Sequence, residues 1–121
     1  MNNKKLGIAF ERFVCADLAH NGYWTHFITP DERGSQPFDI IAVQGNRAVA
    51  IECKTLNASE HIFPLSRLED NQLMAFKRWM MCGNDSPMIA VAWKGKCYYI
   101  PYTELEEKKR IDLNDVSCNN R

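Results

Sequence analysis

The chain has no excess of charge of either sign: fifteen Lys and Arg balance fifteen Asp and Glu. Whole-molecule attraction to polyphosphate is therefore excluded, because that needs surplus Lys and Arg. A local basic rim stays compatible with a neutral total, since acids clustered elsewhere offset it. No apolar run approaches the roughly 20 residues that span a bilayer. The opening Met-Asn-Asn-Lys-Lys leads into a helical pattern carrying Glu11, Arg12 and Asp17 instead of an apolar signal segment, so a cytoplasmic location is expected. The five cysteines (Cys15, Cys53, Cys82, Cys97, Cys118) are odd in number and never spaced as CxxC. They read as reduced thiols, which excludes a disulfide framework and a zinc knuckle. His20, His26 and His61 have no ligand spacing. Repeats, low-complexity tracts and linkers are all missing. With 121 residues, 45% of them apolar, the expectation is one domain over 1–112 with a frayed tail over 113–121.

Within that domain the periodicities are clear. Phe10, Phe13, Val14 and Leu18 recur at helical spacing, which predicts a helix over 4–21 ended by Asn21-Gly22. Residues 23–29 are aromatic and β-branched and predict a strand; 30–37 (PDERGSQP) read as a loop. Residues 38–43 and 47–55 read as strands around Gly45-Asn46, apolar at nearly every position and so covered on both faces. Ser66-Arg67-Leu68-Glu69 fits a capping box and predicts a helix over 67–81. Strands follow over 87–93 and 96–100, turning at Lys94-Gly95, and Thr103-Glu104-Leu105-Glu106 reads as a second cap on a short helix. The order α-β-β-β-α-β-β-α implies an α/β (α+β) fold, a mixed central sheet flanked by helices.

The first hairpin can be put into register. With Gly45-Asn46 as a two-residue loop, Gln44 faces Arg47 and Asp39 faces Glu52. Facing residues have Cβ atoms about 4.5–5.5 Å apart, and Lys54, two positions after Glu52, joins the same face. Two facing carboxylates repel unless a cation lies between them. Mg²⁺ suits such a place, being a hard ion held by one or two carboxylates with water and phosphate. The backbone carbonyl of Cys53 could add a ligand, and Lys54 could activate a water. A second reading is a polar strand patch in which Lys54 simply pairs with Glu52. Glu11 lies on the helical row Gly7-Glu11-Val14-Leu18, beside the apolar stripe, where an acid needs a partner and a metal would be one. Gln72, on the row Leu68-Gln72-Phe76-Trp79, could orient a water or touch DNA.

Phe10-Glu11, Pro37-Phe38-Asp39, Ile51-Glu52-Cys53-Lys54-Thr55 and a helix carrying Gln72 together resemble the PD-(D/E)XK nuclease superfamily, over residues 4–101. The resemblance implies a restriction-endonuclease-like core and a metal-dependent endonuclease. Asp39, Glu52 and Glu11 would bind Mg²⁺, with Mn²⁺ able to substitute, and Lys54 would activate water. Within the superfamily, Glu52-Cys53-Lys54-Thr55, Phe63-Pro64-Leu65 and Asp70-Asn71-Gln72 are similar to RecU-type Holliday junction resolvases, homodimers that act on branched DNA. Unlike those enzymes, the chain allows only residues 30–37 before Asp39, too short for their central protrusion, and it has no basic N-terminal arm. On this resemblance Arg33, Ser35 and Gln36, just before Asp39, are candidates to flank the scissile phosphate. Arg67, at a helix start, is another DNA contact. The alternatives are a non-catalytic DNA-binding or assembly module on the same fold, and a phage nuclease of broader duplex specificity. A thiol enzyme using Cys53 or Cys82 finds no histidine at a useful spacing.

Overall fold

The computed structural model describes residues 3–28 and 37–119, with side chains from Gly7 onward. Helix α1 (Asn3–His20) leads into β1 (Trp24–Phe27), β2 (Ile40–Gln44) and β3 (Arg47–Thr55). Then come β4 (Ile62–Pro64), a 3₁₀ turn at Leu65–Arg67, and α2 (Asp70–Met81). The chain continues through β5 (Met88–Trp93), β6 (Lys96–Pro101), α3 (Tyr102–Lys108), β7 (Arg110–Asp112), a second 3₁₀ turn (Leu113–Asp115) and β8 (Cys118–Asn119). The main sheet has six strands in the order β1-β2-β3-β5-β6-β8, and β4 pairs with β7 apart from it. Strand β3 is antiparallel to β2 and parallel to β5, so the sheet is mixed.

Strand β3 is apolar from Ala48 to Ile51, where each of its faces meets a core. On one side Val14 of α1 packs with Ile40, Ala42, Ile51 and Ala90, and Phe10 and Cys53 lean on that cluster. On the other, Ala50, Ile89 and Val91 meet Phe76 of α2 and Tyr102 and Leu105 of α3. Glu52 shares this second side with Ala50 by strand alternation, so it points toward α2. The strand register is the one read from the loop: Ile40 faces Ile51 and Gln44 faces Arg47. Gly45 has φ +63°, as the first central position of a II′ hairpin requires. Replacing it with Ala forces a Cβ into the left-handed region. We expect a loss of roughly 1–2 kcal/mol, read as a lower denaturation midpoint.

Three local expectations are corrected. Helix α2 starts at Asp70, not near 67: the cap is Glu69, whose side chain accepts from the Gln72 backbone while the Gln72 side chain accepts from the Glu69 backbone. Residues 65–67 instead form the 3₁₀ turn. Helix α3 starts at Tyr102 without a side-chain cap, so Thr103 does not cap it; the backbone N–H of Tyr102 donates to Pro87 O at 2.8 Å. The tail is ordered well past 112. Leu113 is buried beside Ile111, its N–H donates to His61 O, and β8 adds to β6. Such a docked end escapes a composition-based reading, because the N-D-V-S-C-N-N-R string carries few apolar residues to announce it.

Candidate active site

Asp39 sits one residue before β2 and takes over the ladder there. Its N–H donates to Ile51 O at 3.0 Å and its carbonyl accepts from Ile28 at 2.8 Å. Its carboxylate Oδ2 accepts the Cys53 N–H at 2.8 Å, so a side chain replaces the backbone acceptor that the next rung would supply. This turns the Asp39 carboxylate toward β3 and the Glu52 carboxyl. Both acids are 5% exposed. Lys54 Nζ lies 3.8 Å from Glu52 Oε2, with its side chain 16% exposed. Asp39, Glu52 and Lys54 therefore converge as expected, but Asp39 does not sit opposite Glu52 in the ladder. Its N–H donates to Ile51 O, the residue that Ile40 already faces, and only its side chain reaches Glu52.

The electrostatics follow from burial. The Glu52 carboxyl is pushed up to about 9, first by desolvation and then by the Asp39 charge, with Lys54 opposing, a hydrogen bond with Asp39 adding, and Glu11 contributing least. Glu11 is raised to about 7 by burial and by Asp39. Three acids thus crowd one another, and near neutrality the Glu52 proton does the work a cation would do better. Burial and the surrounding acids push the Cys53 thiol well above its usual range, so it stays a neutral thiol. Among the described residues no three His, Cys, Asp or Glu side chains alone form a metal cage. That donor set fits an ion of the Mg²⁺ kind, which takes one or two carboxylates and fills its sphere with water and phosphate oxygens.

Beside these acids opens a cleft of about 300 Å³, walled by Gly7, Phe10, Glu11, Cys53, Lys54, Thr55 and Arg67. A larger groove of about 450 Å³ runs along the outer side of α2 past Phe38, Met74, Arg78 and Trp79. It is apolar and holds none of the acids, whereas the smaller cleft is lined by Glu11 and Lys54. Arg67 is held there by donating to Thr55 O at 2.7 Å and by lying over the Phe63 ring, 5.4 Å from its centroid. The 3₁₀ turn brings it back over Phe63, a role for the F-P-L stretch that the residue string alone does not express. Gln72 turns to the acids: its Nε2 donates to Glu52 Oε2 at 2.8 Å. Its partner Glu69 was missed because the Ser66 pattern draws the helix start three residues too early. Arg33, Ser35 and Gln36 lie outside the described residues.

An acid pair at a hairpin, a lysine two residues on and a third acid on the preceding helix are the set that the nuclease resemblance implies. The family model described as archaeal Holliday junction resolvase (Hjc) matches residues 2–117. This chain belongs to that family. It is a metal-dependent endonuclease of branched DNA, acting in recombination. The structure is similar to that of Hjc from Archaeoglobus fulgidus, a Holliday junction resolvase from an archaeal hyperthermophile. The TM-score is 0.63 at 24% sequence identity, over 88% of this chain and 86% of that one. No curated protein matches the chain. The matched family is Hjc, where the sequence points to RecU-type enzymes; the restriction-endonuclease-like superfamily is common to both readings. No described helix is long and apolar enough to cross a membrane.

Proposed function

We propose that this Hjc-family chain resolves four-way DNA junctions in the cytoplasm as a homodimer, by Mg²⁺-dependent hydrolysis at the Asp39–Glu52–Lys54 centre. The observation that carries the reading is the buried pair of carboxyls with Lys54 beside it. Asp39, Glu52 and the Cys53 carbonyl would hold the ion, with Glu11 at the edge of the cleft. Mn²⁺ would substitute. Such an ion, when bound, polarises the scissile phosphate and makes water nucleophilic near neutral pH.

The remaining work belongs to the chain. Asp39, braced by the Cys53 N–H, presents its carboxylate in one orientation. Lys54 offers its ammonium to the attacking water and to charge gathering on the phosphate. Arg67, already oriented by Thr55 and Phe63, grips a neighbouring phosphate at the cleft wall. Arg33, Ser35 and Gln36 add DNA contacts by their place in the chain just before Asp39. The homodimer follows from the chemistry of paired cuts, which needs two centres related by a two-fold axis. The RecU-like series of E-x-K, F-P-L and a helical Gln is in keeping with a junction substrate.

The test is cleavage of a labelled four-way junction beside linear duplex and flap DNA, with Mg²⁺, Mn²⁺ or EDTA. Paired, metal-dependent cuts in the junction, lost in Lys54→Ala, are expected. Equal cleavage of the duplex would overturn junction selectivity. Folded protein that cuts nothing would favour the non-catalytic DNA-binding module.

A further inference from the structure

We propose that Gln72 is a positioning residue: it couples the first turn of α2 to Glu52 and holds that carboxylate in its metal-binding orientation. The inference rests on the metal reading above. Gln72 is the third residue of α2, and both ends of its amide are engaged. Its Oε1 accepts the Glu69 N–H at 2.9 Å, closing the capping box, and its Nε2 donates to Glu52 Oε2 at 2.8 Å. The amide is therefore a rigid link between the helix start and a carboxyl that reaches it from the middle of the sheet.

The residue type suits this purpose. Glu52 is buried and already bears repulsion from Asp39. A cationic side chain at 72 would pair with Glu52 and compete with a metal ion for it. An acidic one would add to the repulsion. A neutral amide donates to one carboxylate oxygen without cancelling its charge. Lys54 approaches the same oxygen, Oε2, at 3.8 Å, so the orientation is set from two sides. Hydrogen bonds to ligating carboxylates act in this way in metal sites generally.

A purely structural role is the competing account, because Gln72 also completes the cap. Glu69→Ala separates the two: it removes the other half of the cap and leaves the amide on Glu52. The probe is Mn²⁺, titrated into DNA-free protein and followed by electron paramagnetic resonance, with thermal melting alongside. Both Glu69→Ala and Gln72→Met should melt below wild type. Only Gln72→Met should lose Mn²⁺ affinity, by roughly 10–100-fold. Gln72→Asn, which keeps an amide but withdraws it by one methylene, should weaken binding in the same direction and serves if the Met variant folds poorly. Wild-type affinity in both Gln72 variants, or an equal loss in Glu69→Ala, would overturn the positioning role. Absence of Mn²⁺ binding in wild type would instead overturn the metal reading beneath it.

Discussion

Asp39→Asn should remain folded and lose DNA cleavage by about 10³-fold or more. The figure follows from several kcal/mol of metal-borne charge stabilisation at 1.36 kcal/mol per tenfold in rate. The variant is informative because Asn keeps an oxygen able to accept the Cys53 N–H, the bond that Asp39 Oδ2 makes at 2.8 Å. The hairpin entry is thus preserved while the charge is removed. Metal-free Asp39→Asn should also melt above wild type, since Asp39 no longer repels Glu52 and Glu11. Lost activity with gained stability is the signature of a site whose strain serves function. Lys54→Ala should cost about 10²–10³-fold in rate, the usual worth of one donor aimed at developing charge, while retaining Mn²⁺ binding. Single-turnover cleavage of a junction, with circular dichroism melts of the same preparations, decides both. Undiminished cleavage by Asp39→Asn would remove that residue from the centre.

The metal-free protein should become less stable as pH rises from 5 to 9, and divalent metal should restore most at the alkaline end. Glu52 has a folded-state value of about 9 against an ordinary 4.5. A carboxyl raised in the folded state favours folding while protonated. Its contribution is complete below the unfolded value and disappears as pH climbs to the folded one. At pH 7 the loss is on the order of 3 kcal/mol, enough to move the melting point by about 10 °C. Glu11, raised to about 7, acts in the same direction over the lower part of that window. Glu52→Gln should flatten the slope. A bound cation replaces the shared proton, so metal binding should release protons. Calorimetric titration with Mg²⁺ in two buffers of different ionisation heat measures this directly. No release at pH 7.5, or an unchanged slope in Glu52→Gln, would sink the linkage.

What the sequence by itself determined is the local part of the molecule. The Gly45-Asn46 loop sets the register that pairs Ile40 with Ile51, and strand alternation puts Lys54 on the face of Glu52. Asp39 leaves that register, its N–H donating to Ile51 O, and meets Glu52 through its side chain. Helical spacing places Glu11 on the flank of the helix row that lines the cleft, and the order of the main elements follows from pattern and turn residues. Only the tertiary structure decided the rest. The cap lies at Glu69 and not at Ser66, and its Gln72 also donates to Glu52, a residue twenty positions earlier. The fold of Arg67 over Phe63 and the docking of Leu113 and β8 depend on elements that meet only once the sheet has assembled. So does the depth at which the acids are buried, which raises Glu52. Short-range backbone geometry is written in neighbouring residues, whereas burial and long-range hydrogen bonds are properties of the packed whole.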